Sequence, residues 1–288
     1  MNKYFKWSEF SNLKGCSDIE SYLSGREYQH SDYCHYTRLD VINSILENCT
    51  FRLSNVSGFN DTVDSGQFDN PKLYYSLCFS TGVNENLPLW YMYSGMKGDG
   101  GRIRFTKSQI KRLVNRGQYA LYECRKDADG CKIPSRKVMD LENNTNMILD
   151  FKDVLYVKRE GEDRQVSLKY NTMTNYNLPQ DEFEKYTASN KGFIKGLIWY
   201  YEKETRLLVK LIGSAERAIE EEKDYVVLLT EGKAFEPAWI DLAPQAPTVP
   251  EVINSYTYIS EHFSRAERVK PSKYHGTIQM QFCKKCKR

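Results

Sequence analysis

The chain has 288 residues, a formal net charge of +3, 40% hydrophobic and 27% charged residues. That composition permits a sizeable core and excludes both a disordered polyelectrolyte and a chain that binds nucleic acid through overall charge. With a mean hydropathy of −0.64 and no apolar run near the roughly 18 residues a membrane span needs, a helical membrane protein is excluded too. The opening Met1-Asn2-Lys3-Tyr4-Phe5-Lys6-Trp7 carries charge with no apolar stretch behind it, so no secretory signal is expected. The eight scattered cysteines lack a disulfide-framework spacing, and a reduced, cytoplasmic setting is expected.

In chain order, the first thirty residues read as a helical or irregular lead-in. Tyr33-Cys34-His35-Tyr36-Thr37 reads as a short strand, and Thr37 with Asp40 three positions on offers a capping box for the helix that follows. Leu39, Ile42, Ile45 and Leu46 give that helix an apolar face. Thr50 to Ser54 alternates as a half-buried strand, and Asn55 to Asp61 has turn chemistry. Further strands are expected over Leu73–Ser80, Arg102–Phe105, Gln118–Cys124, Val154–Val157, Thr205–Ile212 and Tyr225–Thr230. Helices are expected over Leu87–Tyr93, 107–117, much of Asp181–Tyr200 and Val252–Val269. The charged stretch 126–146 reads as a surface insertion, and 243–250, with three prolines, as a linker. Short strands outnumber helices, which is an α+β pattern.

Three segments carry candidate chemistry. They are Tyr33-Cys34-His35-Tyr36-Thr37, then Ser76-Leu77-Cys78-Phe79-Ser80 with the aromatic run Leu87 to Tyr93, then Trp199-Tyr200-Tyr201-Glu202-Lys203-Glu204-Thr205-Arg206-Leu207. Strand alternation puts Glu202, Glu204 and Arg206 on one face. Two carboxylates there are either a solvated edge of mixed charge or a pair held for a ligand hydroxyl or a developing positive charge. The 21 tyrosines fit a cleft for planar ligands and equally a Tyr-rich core. The basic run from Arg265 to Arg288 reads either as a solvated tail or as a phosphate contact.

The order of these three segments, with the Ser54-Asn55 to Phe59-Asn60-Asp61 loop, resembles a bacterial family of unknown function. It is similar to the His–Tyr/Ser–Glu signature of the ADP-ribosyltransferases, over about residues 33–230. The resemblance implies an α+β fold with a split antiparallel sheet around an NAD cleft and flanking helices. It implies a catalytic domain over 1–242 and a linker, helix and basic extension over 243–288. NAD is then a substrate, and no metal is expected. Glu204 is the implied catalytic carboxylate and Glu202 the group that activates the acceptor. His35 would hold the adenosine-side ribose and the nicotinamide amide, with Tyr36 and Thr37 shaping the site. Ser54, Asn60, Ser80 and Arg206 complete the implied cofactor-binding set, and Trp90 and Tyr93 would stack on the nicotinamide ring.

The expected reaction is transfer of ADP-ribose to a macromolecule, with RNA or DNA favoured over protein because of the basic tail and the aromatics. Stand-alone bacterial enzymes of this kind act as toxins in toxin–antitoxin or anti-phage systems, so an antitoxin is a further implied partner. An NAD glycohydrolase and a non-catalytic nucleotide-binding or nucleic-acid-binding module of the same fold are the alternatives. The chain departs from the signature in having no Gly after His35 and in reading Phe79-Ser80-Thr81 where Ser-Thr-Ser is expected. Cys283-Lys284-Lys285-Cys286 could bind zinc with Cys124 and Cys131, or be a free tail. Lys273-Tyr274-His275-Gly276-Thr277 matches a His-Gly-Thr signature but follows the glutamate strand, the wrong order.

Overall fold

The computed structural model describes residues 28, 30–59, 61–82, 84–93, 98–128, 132–159, 165–170, 174–179, 188–231, 237–263 and 268–276. The lead-in before Tyr28, Asn60, Cys131 and the tail carrying Cys283 and Cys286 lie outside these residues. The architecture is mixed α and β with mostly antiparallel strand pairing. The chain divides into two units, one built from 1–29, 53–78 and 121–227 and the other from 30–52, 79–120 and 228–288. Four strands cross the division in sequence: β2 (Thr50–Asn55), β3 (Tyr74–Thr81), β5 (Gln118–Lys126) and β13 (Tyr225–Thr230).

In the second unit, β1 (Asp32–Arg38) pairs antiparallel with β4 (Gly100–Thr106) along its whole length and with the end of β3 at Tyr33↔Thr81 and Cys34↔Ser80. On the far side of β4 lie β14 (Trp239–Leu242), antiparallel to it, and β15 (Val269–Lys270), parallel to β14. Helix α1 (Leu39–Asn48) buries the apolar face its sequence predicts, Leu39, Ile42, Ile45 and Leu46. It lies so close to β4 that a Cβ at Gly101 would stand 2.7 Å from Ile42 and 3.0 Å from Leu39. A side chain at that position would have to push both methyls aside.

The predicted capping box at Thr37 and Asp40 does not form. Thr37 stays in β1 opposite Gly101, so Arg38 becomes the cap residue and uses no side-chain bond for it. Asp40 instead accepts from the Arg38 guanidinium at 2.6 and 3.0 Å. Real capping boxes open α4 (Lys107–Arg116), through Thr106 and Gln109, and α6 (Val249–Ser255), through Thr248 and Glu251. Helix α3 (Leu87–Tyr93) matches its predicted span. The single C-terminal helix expected over Val252–Val269 is instead two short ones, α6 and α7 (Thr257–His262), ahead of β15.

In the first unit, β12 (Glu204–Leu211) pairs antiparallel with β7 (Met147–Asp153) and also pairs with β3. With partners on both sides, β12 is buried along nearly its whole length, and the reading of it as a solvated edge is excluded. A second sheet holds β8 (Leu155–Arg159), β9 (Gln165–Tyr170) and β10 (Thr174–Pro179) in antiparallel order, with β11 (Ile194–Gly196) parallel to β8. The stretch 126–146 contains β6 (Lys132–Leu141), at one end of its sheet beside β5. Its charges and Pro134 hid the strand, yet both belong on an edge. Helix α2 (Thr62–Ser65) and α5 (Gly213–Arg217) complete the unit's described helices. Val56, Phe68, Phe193 and Leu208 form an apolar cluster, with Phe59 and Tyr74 packed against it.

Candidate functional site

The segment before β12 is where the local sequence departs most from a simple strand. Leu197–Glu202 winds as a 3-10 helix, and Lys203 ends it in the left-handed region at φ 45°. Glu202 is therefore the last helical residue and Glu204 the first of β12. The strand alternation expected to align Glu202 with Glu204 and Arg206 holds only for the last two. The turn at Lys203 nevertheless returns Glu202 to the same place, because both carboxylates meet one ammonium. Lys195 Nζ stands 2.5 Å from Glu202 Oε2 and 3.3 Å from Glu204 Oε2. All three side chains are nearly buried, at 7%, 5% and 11% exposure for Glu202, Glu204 and Lys195.

Arg206 closes the arrangement from the other side. Its Nε donates to Glu204 Oε1 at 2.7 Å, and Nη1 and Nη2 donate to the two oxygens of Asp64 at 2.9 and 2.8 Å. Nη1 also donates to the Gly192 carbonyl at 2.5 Å, and the guanidinium lies 4.9 Å from the Phe59 ring centre. Gly192 presents that carbonyl from φ +83°, and a Cβ there would stand 2.6 Å from Phe68. The position therefore requires glycine on two counts. With its donors engaged at 1% exposure, Arg206 is not the cofactor-binding group the resemblance implies. It anchors Glu204 to Asp64. The Glu204 backbone is pinned as well, its N–H donating to Tyr156 Oη at 2.9 Å and its carbonyl accepting from Val154 N at 2.9 Å.

The two carboxylates have opposite electrostatics. Burial raises Glu202 from 4.5 to about 7, opposed by Lys195 and reinforced by Glu204. Burial also acts to raise Glu204, but Arg206 and Lys195 outweigh it and hold Glu204 at about 2. Two cations serve Glu204 and one serves Glu202, which is why the proton goes to Glu202. Burial pushes the neighbouring Tyr156 hydroxyl and Cys78 thiol well above their ordinary values, with Glu204 adding to both. Both stay protonated at neutral pH.

The remaining implied site residues, Ser54 and Asn60 apart, are in the second unit. His35 is half-buried, edge-on to Phe51 and Phe79 at 5.5 and 6.0 Å, and stands opposite Ile103 in the register. Tyr36 is buried, and its hydroxyl accepts from Arg102 Nη1 at 2.8 Å and from Asn86 N at 3.2 Å. Burial raises that hydroxyl to about 12 against the pull of Arg102. Trp90 is fully buried, edge-on to Tyr36 at 4.6 Å, and donates Nε1 to Glu85 at 3.0 Å. It is a core residue and does not fit the expected role of stacking on a ligand ring. Tyr93 at the end of α3 is 43% exposed. Thr37 and Ser80 are half-buried on β1 and β3. Ser54 is exposed on β2 opposite Ser76, and Asn60 lies outside the described residues.

Sequence reasoning missed Lys195, Asp64 and Tyr156. Arg206 directly before the apolar run Leu207-Leu208-Val209 was the available signal, since a buried guanidinium requires a buried acid. Nothing local says which acid that is. Cys34, beside His35 in sequence, is buried, and burial raises its thiol to about 12. Among the described residues, no group of three or more His, Cys, Asp or Glu is placed to hold a metal ion, and no helix is long and apolar enough to cross a membrane. No protein-family model matches the chain, and no curated protein or solved structure matches it.

Proposed function

We propose that the chain is an NAD-dependent ADP-ribosyltransferase whose reacting centre is the Glu202–Glu204 pair. The observation that carries this is the pair itself: two buried carboxylates on one lysine, one held ionised at about 2 and the other raised to about 7. Carboxylates whose environments push their proton affinities apart divide into a fixed anion and a proton carrier. Breaking the bond between ribose and nicotinamide builds oxocarbenium-like charge on the sugar, as glycoside cleavage does. Glu204, ionised and anchored by Arg206, is the anion suited to hold the ribose and stabilise that charge. Glu202, close to half-ionised at neutral pH, suits removal of a proton from the incoming acceptor. Nicotinamide departs as a neutral amide, so the chemistry needs no strong acid on the leaving side.

The fold that belongs with this reading is the ADP-ribosyltransferase split sheet, and the setting is a cytoplasmic bacterial toxin with a macromolecular acceptor. RNA or DNA is favoured over protein by the basic tail. The test is incubation of the purified protein with labelled NAD and, separately, RNA, DNA and cell lysate. Label transferred to one fraction, with turnover reduced about 100-fold to 1,000-fold in Glu204→Gln, is the expected result. Nicotinamide release without a labelled acceptor would replace the reading with NAD hydrolysis. Unchanged turnover in Glu204→Gln, or no NAD consumption in any mixture, would end it.

A further inference from the structure

Two carboxylates that converge in a nearly dry place repel one another, and burial penalises each charge separately. Arg206 hydrogen-bonds Glu204 and Asp64 but not Glu202. The one described cation that touches both Glu202 and Glu204 is Lys195, from β11, where it stands in register opposite Tyr156 of β8. Its ammonium also lies 5.0 Å from the Trp199 ring centre, and its bonds to Glu202 and Glu204 fix its direction.

We propose that Lys195 is a positioning residue of this centre: by sharing its ammonium between Glu202 and Glu204 it brings the two carboxylates together and offsets the charge they share. Lys195 acts through the glutamates and has no contact with substrate in this assignment. The charged and titratable groups facing the pair are Lys195 on β11, Arg206 on β12 with Asp64 of α2 behind it, Tyr156 on β8, Cys78 on β3 and Tyr201 of the 3-10 helix. Among the described residues three carboxylates meet two cations here, so their full ionisation leaves one uncompensated negative charge. Removing Lys195 would leave two, and a proton would be held more tightly to offset the loss.

The kinetic part of this inference rests on the proposed reaction, but the proton itself can be read without it. The full chain would be compared with Lys195→Met and Lys195→Arg by thermal unfolding across pH 4 to 10 and by the pH profile of NAD consumption. In the wild type, stability falls as pH rises towards about 7, where Glu202 loses its proton. In Lys195→Met that fall moves upward by about one pH unit or more, the shift expected from losing an opposite charge at contact distance. Lys195→Arg keeps the charge and stays within about half a unit of the wild type. The acid limb of the kcat profile moves with the stability curve, and kcat falls by about tenfold or more while KM for NAD changes little. Coincident stability curves for wild type and Lys195→Met would overturn the proposal. If Lys195→Met does not fold, Lys195→Arg decides alone: a wild-type pH midpoint supports the proposal, and a displaced one overturns it. A wild type that consumes no NAD would end the proposed reaction and leave the stability comparison to decide Lys195.

Discussion

Each unit buries a cluster of charges, and the two clusters are built differently. In the second unit the charges balance. Arg102, 3% exposed, donates Nε to Asp241 at 2.8 Å, and its Nη1 serves Tyr36 and the Asn84 carbonyl. Arg104 stands 3.9 Å from both Asp32 and Asp241, under the Trp239 ring. Two arginines meet two aspartates, and the cluster ties β1, β4 and β14 together. In the first unit, among the described residues, the cations that meet Asp64, Glu204 and Glu202 are Arg206 and Lys195. A balanced buried cluster explains itself as structure, whereas a surplus carboxylate with a raised proton affinity costs stability and calls for a use.

The largest expected effect that would test this contrast is Arg206→Met. It leaves Asp64 and Glu204 without their shared cation and should cost about 3–5 kcal/mol in urea unfolding. Arg102→Met removes the partner of one aspartate and should cost less; equal losses would break the comparison. Next comes removal of an acid from each cluster. Asp241→Asn strands Arg102 and should cost about 2–3 kcal/mol. Glu204→Gln removes a carboxylate whose charge stabilises the folded state at neutral pH but also lifts the repulsion on Glu202, so it should cost less than Asp241→Asn, about 1–2 kcal/mol. Equal losses would mean that the two clusters are built alike.

The surplus also predicts a pH signature. Glu202 has a folded value raised from 4.5 to about 7, so the folded state holds its proton more tightly than the unfolded chain does. The resulting stability is full below the ordinary carboxyl value and is lost as pH rises through about 7. Glu204 is opposite: its contribution is present above 4.5 and is lost as pH falls towards about 2. Glu202→Gln should therefore stabilise the protein at pH 8 by about 1–2 kcal/mol while lowering turnover. A melting temperature at pH 8 that falls in this variant would contradict the raised value. The smallest effect sharpens the baseline: Thr106→Ala removes a capping-box partner from α4 and should cost about 1 kcal/mol by thermal melting.

Much of the local structure was legible in the sequence. The apolar spacing of Leu39, Ile42, Ile45 and Leu46, the span of α3 and the span of β13 follow from periodicity over a few residues. Glu204 was singled out by the motif resemblance and the nearby Glu202, whereas its burial and its anchors were not legible. The 3-10 turn at Leu197–Glu202 was not legible. Its left-handed end at Lys203 is set by where both glutamates must point.

What only the tertiary structure decided is who answers each buried charge. Arg206 finds Asp64 from 142 positions away, and Glu202 finds Lys195 on a separate strand. A sequence shows that a buried charge needs a partner, because desolvation is costly for any chain. It does not show which partner, because that depends on which strands pair. The same holds for Trp90 and Arg206, which the resemblance implies as ligand groups and whose bonds to Glu85 and Glu204 only the packing shows.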